Sequence, residues 1–264
     1  AALGQSELVP HASTFVCMPT TAGTGAEVSP VAVFGDDDRD IKLRVTGSAL
    51  VPHNIVLDPE LILSLPANVS AVTGIDALSH AIEAFVSRQA SPISDALAKE
   101  AIAHLVHAVP TCLEQPDNIN ARGHCLVAAT LAGMAFSSAR LGLAHAIAAP
   151  LGAQHHIVHG QAIALALPAV IAFSEPALGD KGRQLAHAFN ARSPAVGIAH
   201  FANSLDLDKG LDAFVHSTAA RDNIAAAAMQ SNNLRSAPLT PTEKDMRDIV
   251  ESMRRPMSSV LSKI

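Results

Sequence analysis

The hydrophobic and polar positions divide the chain into two parts that meet near Pro66. Ahead of Pro66, short apolar and β-branched runs are bounded by proline, glycine and acidic turns, which is typical of strands. We predict strands over residues 14–18 and 54–57, and a hairpin formed by residues 28–34 and 41–45. Beyond Pro66 the apolar residues recur with the helical period. The boundary therefore separates a β-containing segment, residues 1–65, from a helical domain, residues 66–264.

The second part predicts a series of helices. Ser91 before Pro92 and Asp117 before Asn118 are suitable N-caps. Helices are predicted over residues 67–87, 92–113, 118–138, 144–154, 161–173, 177–190 and 194–205, followed by several shorter ones. The fold class is thus mainly α.

Composition supports a helical core and a small-molecule ligand. The 264 residues are 49% hydrophobic, with eight Phe and no Trp or Tyr, which favours close-packed helices. A net charge of -6 and the absence of a dense Lys/Arg block argue against nucleic acid or an anionic membrane as the main partner. The longest apolar run, residues 162–173, contains Pro168 and is shorter than the roughly 20 residues of a membrane span.

The cysteines indicate a reducing compartment. Cys17, Cys112 and Cys125 are odd in number and form no CxxC pair, so neither a disulfide framework nor a cysteine zinc site is indicated. The first residues lack the basic start and apolar core of a signal peptide. We expect a cytoplasmic protein that forms a homo-oligomer.

Two clusters of polar residues lie in apolar surroundings. Asp76 and His80 are spaced i,i+4 and share one face of a predicted helix. Taken alone, they are more simply explained as an ordinary hydrogen-bonded pair in the core. His145 lies near the start of one helix and His159 immediately before another, so a helix hairpin could bring both to the same point. Asp plus three His is a ligand set that suits Fe(II) or Zn(II).

Three motifs connect these residues to a known family. They are PTTAGTGAEVSP at residues 19–30, GIDALSHAIEAF at residues 74–85, and GLAHAIAAPLG at residues 142–152 with His159-Gly160. With these motifs the chain resembles the iron-containing (group III) alcohol dehydrogenases, which share the dehydroquinate-synthase-like fold. The resemblance covers nearly the whole chain from about Phe15 onward.

The resemblance implies a metal site and a cofactor site. It implies four metal ligands, namely Asp76, His80, His145 and His159. It further implies that a set of residues faces NAD or NADP, namely Thr20, Thr21, Gly23, Thr24, Val33 and Lys42. By themselves, the small and hydroxyl residues of this loop would more simply form a plain turn, because they match neither a dinucleotide fingerprint nor a Walker loop.

The chain departs from the family pattern in two places. Family members carry the greater part of a nucleotide-binding domain ahead of the PTTAGT loop, where this chain has eighteen residues. Residues 1–65 are therefore interpreted as the C-terminal part of that α/β domain, and residues 66–264 as the helical metal-binding domain. Many members also carry a histidine one helical turn after the third ligand, where this chain has Ala149.

Proton transfer consequently has no assigned residue. His155 and His156 are candidate catalytic substitutes, and the alternative is that they are solvent-facing loop residues. Glu83, one turn after His80, could orient a ligand or cap a helix face, and we favour the cap.

The predicted function is that of a metal-dependent alcohol dehydrogenase, which interconverts a small alcohol and its aldehyde or ketone with NAD(P). Two alternatives remain open. The same four ligands could activate water in a metal-dependent hydrolase, or the chain could be a helical module that is inactive without its nucleotide-binding half.

Overall fold

The computed structural model describes residues 13–36 and 41–261. Its first part contains four strands. β1 (Val16–Cys17) pairs in parallel with β4 (Asn54–Ile55), and β2 (Val31–Asp36) pairs antiparallel with β3 (Ile41–Thr46). The predicted hairpin and both short strands are confirmed, although β1 and β4 are reduced to two residues each.

The second part is helical, as predicted. Its described helices are α1 (Ala67–Val86), α2 (Pro92–Glu114), α3 (Ile119–Ala139), α4 (Leu143–His155), α5 (His159–Ser174), α6 (Asp180–Ala188), α7 (Pro194–Ser204), α8 (Thr218–Ala228), α9 (Glu243–Ser252) and α10 (Met257–Leu261).

One predicted helix begins later in the structure than expected. Residues 177–190 were expected to form a single helix, but a 3₁₀ turn (Glu175–Ala177) precedes α6, which begins only at Asp180. Gly179 lies between them with φ 53°, a left-handed conformation that an α-helix cannot contain. The helix itself is confirmed, and its start lies three residues later than predicted because of this glycine.

Pro168 lies inside α5 without ending it.

By length and composition alone, α1 and the segment His159–Ala177 could each cross a bilayer, as could the bent pair of α3 and α4 taken together. In the folded chain, 83% and 67% of the apolar windows in the first two are buried inside the protein. Their apolar surface is thus used in the helical core.

Helix α1 lies at the centre of this core, with α2, α3 and α5 packed around it. Ile75, Leu78 and Ile82 are completely buried. The helices approach closely, since a Cβ on Gly74 would come within 2.7 Å of the Val109 side chain. A helix buried on all sides has no solvent-facing stripe. Every polar residue on its second half must therefore find partners inside the protein.

The hairpin of α4 and α5 is fixed against α1 at one point. A Cβ on Gly160 would lie 2.0 Å from the carbonyl oxygen of Val72, so no larger residue fits there. The first turn of α5 is thereby held beside the polar residues of α1.

Candidate metal centre

Asp76 and His80 lie together on one face of α1, as their spacing predicts. The Oδ1 atom of Asp76 is 3.6 Å from Nε2 of His80, and both side chains are buried. A carboxylate in such surroundings requires compensating partners.

The hairpin of α4 and α5 supplies His145 and His159. Their Nε2 atoms lie 3.7 and 3.4 Å from the same Oδ1 atom of Asp76. The side chain of His145 is buried, whereas that of His159 is 51% exposed. The cluster is consequently closed toward the core and open to solvent beside His159.

The arrangement fits a divalent metal ion. Ligand atoms about 2.1 Å from a tetrahedral ion stand about 3.4 Å from one another, close to the three distances around Asp76 Oδ1. Asp76, His145 and His159 offer ligand atoms that all lie within 4.8 Å of one another. Asp76 Oδ1 and His145 Nε2, which face each other in the cluster, are also buried without a hydrogen-bond partner among the described residues. Unpartnered buried donors and acceptors are rare unless an ion or water joins them.

Glu83 links the metal cluster to the start of α4. Its carboxylate accepts hydrogen bonds from the backbone N–H groups of Gly142 and Ala144, at 2.8 and 2.7 Å, and lies 2.7 Å from Nδ1 of His145. Because a carboxylate can only accept, His145 donates from Nδ1–H, which leaves Nε2 directed at the cluster.

Glu83 therefore combines both roles that the sequence left open. The expectation favoured the cap, and the orienting contact to His145 adds to it. The sequence contains one signal for this role, since Glu83 follows His80 by three positions and Asp76 by seven, and so lies on the same helix face.

Burial and neighbouring charges shift the pKa values of the cluster residues in opposite directions. Burial raises the pKa of Asp76, but His80, His145 and His159 together hold that pKa far below its ordinary value. Burial lowers the pKa of His80 to about 4, against the pull of Asp76. Burial also acts on His145, but Glu83 and Asp76 outweigh it and raise its pKa to about 9. A metal ion would take over the charge balance that this proton provides.

The loop predicted to face the cofactor packs tightly on the helical domain. Cβ atoms on Gly23 and Gly25 would lie 3.0 Å from the Thr73 side chain and 2.7 Å from Gly133 Cα, and Gly25 has φ 61°. Glu27 is buried and accepts a 2.5 Å hydrogen bond from Thr130.

The hydroxyl residues of the same loop face outward. Thr20, Thr21 and Thr24 are exposed, whereas Gly23 is buried. Val33 and Lys42 belong to β2 and β3, but their side chains lie outside the described residues.

The candidate proton-transfer residues lie in the chain between the candidate ligands His145 and His159. Ala149 is exposed on α4, one turn after His145, and offers no titratable group. His155 ends α4 and is half-buried, with its Nε2 atom buried and without a partner among the described residues. His156 is exposed and has φ 55°.

A polar cavity of about 440 Å³ is connected to the cluster through one side chain, that of Phe136. Its walls come from the base of the β2–β3 hairpin, from Gln89 after α1, from the end of α3 and from the 3₁₀ helix Asn232–Ser236. Phe136 lines it and also contacts the ring of His80, with 4.7 Å between ring centroids. The sequence does not indicate this cavity, because its walls come from segments that are far apart in the chain.

Comparison with known proteins gives this arrangement its context. The model of the C-terminal part of the Fe-containing alcohol dehydrogenase family matches residues 70–254, and that of iron-containing alcohol dehydrogenases matches residues 2–59. The chain belongs to the iron-containing alcohol dehydrogenase family. The resemblance seen in the three motifs is thereby confirmed.

Relatives in the iron-containing alcohol dehydrogenase family are similar in sequence and structure. The 1-propanol dehydrogenase PduQ of Salmonella typhimurium is 49% identical over 161 residues, which are 61% of this chain and 44% of PduQ. The crystal structure of a 1,3-propanediol oxidoreductase superimposes with a TM-score of 0.88 at 28% identity, covering 94% of this chain and 67% of the other. A sulfoacetaldehyde reductase from Bifidobacterium kashiwanohense in complex with NAD+ superimposes with a TM-score of 0.84 at 27% identity, covering 91% and 65%.

These relatives favour an alcohol dehydrogenase over a metal-dependent hydrolase. The predicted fold class, a helical C-terminal domain of this family, is confirmed. The match to PduQ spans less than half of that relative, so the activity of the whole protein is treated below as a proposal.

Proposed function

We propose that this chain forms the metal-binding part of an NAD(P)-dependent alcohol dehydrogenase that interconverts a small alcohol and its aldehyde or ketone. The observation that carries the proposal is the convergence of three imidazole Nε2 atoms, at 3.4 to 3.7 Å, on a single buried carboxylate oxygen. The dehydrogenase and oxidoreductase names of the relatives support the reaction class.

We propose Asp76, His80, His145 and His159 as the ligands of Fe(II), with Zn(II) suited to the same donor set. When bound, such an ion supplies Lewis-acid polarisation of the substrate oxygen, and a nicotinamide exchanges the hydride. The chain contributes the rest: α1 and α3 exclude water from the buried side, and Glu83 fixes the tautomer of His145. Substrate would approach from the side of the 440 Å³ cavity that Phe136 joins to His80.

We further propose that the outward-facing hydroxyls of Thr20, Thr21 and Thr24, with Gly23, contact the cofactor, together with Val33 and Lys42. The tight packing of the loop on α1 and α3 supports this, because a rigid cradle loses little entropy when it binds. The NAD+ in the related sulfoacetaldehyde reductase supports a nicotinamide cofactor.

For proton transfer we propose His155 or His156. The unpartnered Nε2 atom of His155 supports His155, and the solvent exposure of His156 suits exchange with bulk water.

The domain division is likewise a proposal, with residues 1–65 closing a nucleotide-binding domain and residues 66–264 forming the helical one. The match to the iron-containing alcohol dehydrogenase model ends at residue 59, and the match to the C-terminal model begins at residue 70. The gap between the two matches supports a boundary there. The three free cysteines support a cytoplasmic location.

Replacing a ligand tests the metal site directly. His145→Ala is expected to lose bound metal when the chain is loaded anaerobically with Fe(II), desalted and analysed for its element content, because one of two buried imidazole ligands is removed. His200→Ala, an exposed histidine on α7, is the matched control and should retain metal. Full metal content in His145→Ala would disprove the assignment.

A fluorescence titration tests the reaction class. NADH and NADPH should each be tried, and enhanced nicotinamide emission on binding is expected for a dehydrogenase. A chain that binds metal but neither nucleotide, and that hydrolyses an ester or phosphate, would instead be a hydrolase.

A further inference from the structure

Two arginines line the cavity next to Phe136. Arg140 and Arg235 line it, with Gln89, Asn232 and Asn233 among the other polar residues, and no Asp or Glu is among the described residues of its wall. Both arginines are exposed, and neither has an ion-pair partner among the residues that the structure describes. The cavity thus presents unbalanced positive charge.

Arg140 occupies a backbone conformation that disfavours it. It follows the last residue of α3 with φ 69° and ψ 170°, a region that is essentially restricted to glycine. A glycine would adopt this conformation without strain, yet the chain has an arginine there. Such strain persists where the surroundings impose it, and it concentrates at functional sites.

The two arginines lie on segments that are fastened together. The hydroxyl of Ser236, next to Arg235, donates to the carbonyl of Leu141, next to Arg140. Gly142 then donates to Glu83, which holds His145. A continuous set of contacts thus fixes the arginines relative to the candidate metal ligands.

We propose that Arg140 and Arg235 make this cavity selective for alcohols and aldehydes that carry a carboxylate or sulfonate group. This inference rests on the proposed function and adds the substrate class. Arginine binds both oxygens of a carboxylate at once. The anion would lie against the arginines, and the reacting carbon would lie toward Phe136 and the cluster. The volume of about 440 Å³ suits a small substrate.

The test uses two alcohols with the same three-carbon skeleton, 3-hydroxypropanoate and 1-propanol. The quantity measured is the ratio of their kcat/KM values with NAD(P), and the unsubstituted chain should favour 3-hydroxypropanoate. In Arg140→Gly with Arg235→Gln, this ratio should fall by about 10- to 100-fold, the effect expected for lost hydrogen bonds to a charged group. Arg235→Lys, which keeps the charge, should retain part of the preference.

A matched control separates local from general charge. Arg247→Gln removes an exposed arginine on α9 that faces Glu243, and it should leave the ratio unchanged. An unchanged ratio in the double variant would overturn the inference. A higher KM for the nicotinamide with an unchanged ratio would do so too, because the arginines would then bind cofactor phosphate.

Calorimetric binding supplies a readout that needs no turnover. The unsubstituted chain should bind 3-hydroxypropanoate more tightly than 1-propanol, and Arg140→Gly should bind it more weakly while melting at a higher temperature, because strain is relieved. Equal binding of the two alcohols, or tight binding that survives both substitutions, would contradict the inference. Absence of turnover with both alcohols would count against the proposed function alone, since the binding comparison still decides the role of the arginines.

Discussion

At the scale of single residues, Glu83 both caps the start of α4 and orients His145. It is buried in α1, accepts hydrogen bonds from two backbone N–H groups at the start of α4, and accepts a further hydrogen bond from Nδ1–H of His145. Burial alone would raise its pKa, but His145 and the two N–H groups hold that pKa below its ordinary value. An ionised carboxylate is therefore the form that the surroundings stabilise.

Substituting Glu83 should weaken metal binding without removing a ligand. Glu83→Gln replaces one acceptor oxygen with an NH₂ group that faces N–H donors, so we expect metal affinity to fall by about 10- to 100-fold. The free energy of unfolding should fall by about 1–3 kcal/mol. Competition with a chelator measures the first effect and urea unfolding the second.

Glu100→Gln provides the comparison for Glu83→Gln, because the carboxylate of Glu100 is largely exposed on α2 and lies beside His104. It should change neither quantity measurably. Equal metal affinity in Glu83→Gln and the unsubstituted chain would show that Glu83 serves the helix and not the ligand.

At the scale of elements, the contact between α1 and α5 determines where His159 lies. Gly160 permits the approach, since a Cβ there would overlap the carbonyl of Val72. The overlap would be between the Cβ of residue 160 in α5 and the backbone carbonyl of Val72 in α1. Side-chain rotation cannot relieve the overlap.

Gly160→Ala should therefore destabilise the chain and displace His159. We expect the free energy of unfolding to fall by about 2 kcal/mol or more, as for overpacked cores, with a parallel loss of metal affinity. Gly123→Ala is the control, because its nearest neighbour is Pro59 at an ordinary 3.9 Å. It lies within α3 and should gain up to about 1 kcal/mol. A stabilised Gly160→Ala would refute the tight contact.

At the scale of the whole molecule, the helical core does not depend on the metal for its packing. Residues such as Ile75, Leu78 and Ile163 are buried among other side chains without any ion. The metal-free chain should consequently remain folded after treatment with a chelator.

Metal should then add stability by mass action. At a free Fe(II) concentration of about 100 times Kd, binding adds about 2.7 kcal/mol, and the melting temperature should rise by about 5–10 °C. Anaerobic circular dichroism melts with and without Fe(II) measure the shift. A metal-free chain without helical signal would contradict the independence of the core, and an identical melting temperature would contradict metal binding.

The sequence predicted those parts of the site that depend on local spacing. Asp76 and His80 could be placed on one helix face by their i,i+4 separation. Other features depend instead on tertiary packing. They are the contact from Glu83 to Gly142, the 3.7 Å approach of the Cys112 and Cys125 thiols, and the position of Arg140 and Arg235 in the wall of one cavity. No periodicity reports such contacts, because they join residues that are far apart in the chain.

The uneven burial of the four candidate ligands has a consequence for handling the protein. Asp76, His80 and His145 are enclosed by the core, whereas His159 stands half in solvent on the first residue of α5. Metal can therefore enter and leave beside His159 while the remainder of the protein stays folded. The metal content of a purified sample would then reflect the buffers and oxidants it has met, and a correctly folded preparation could contain iron, zinc or neither.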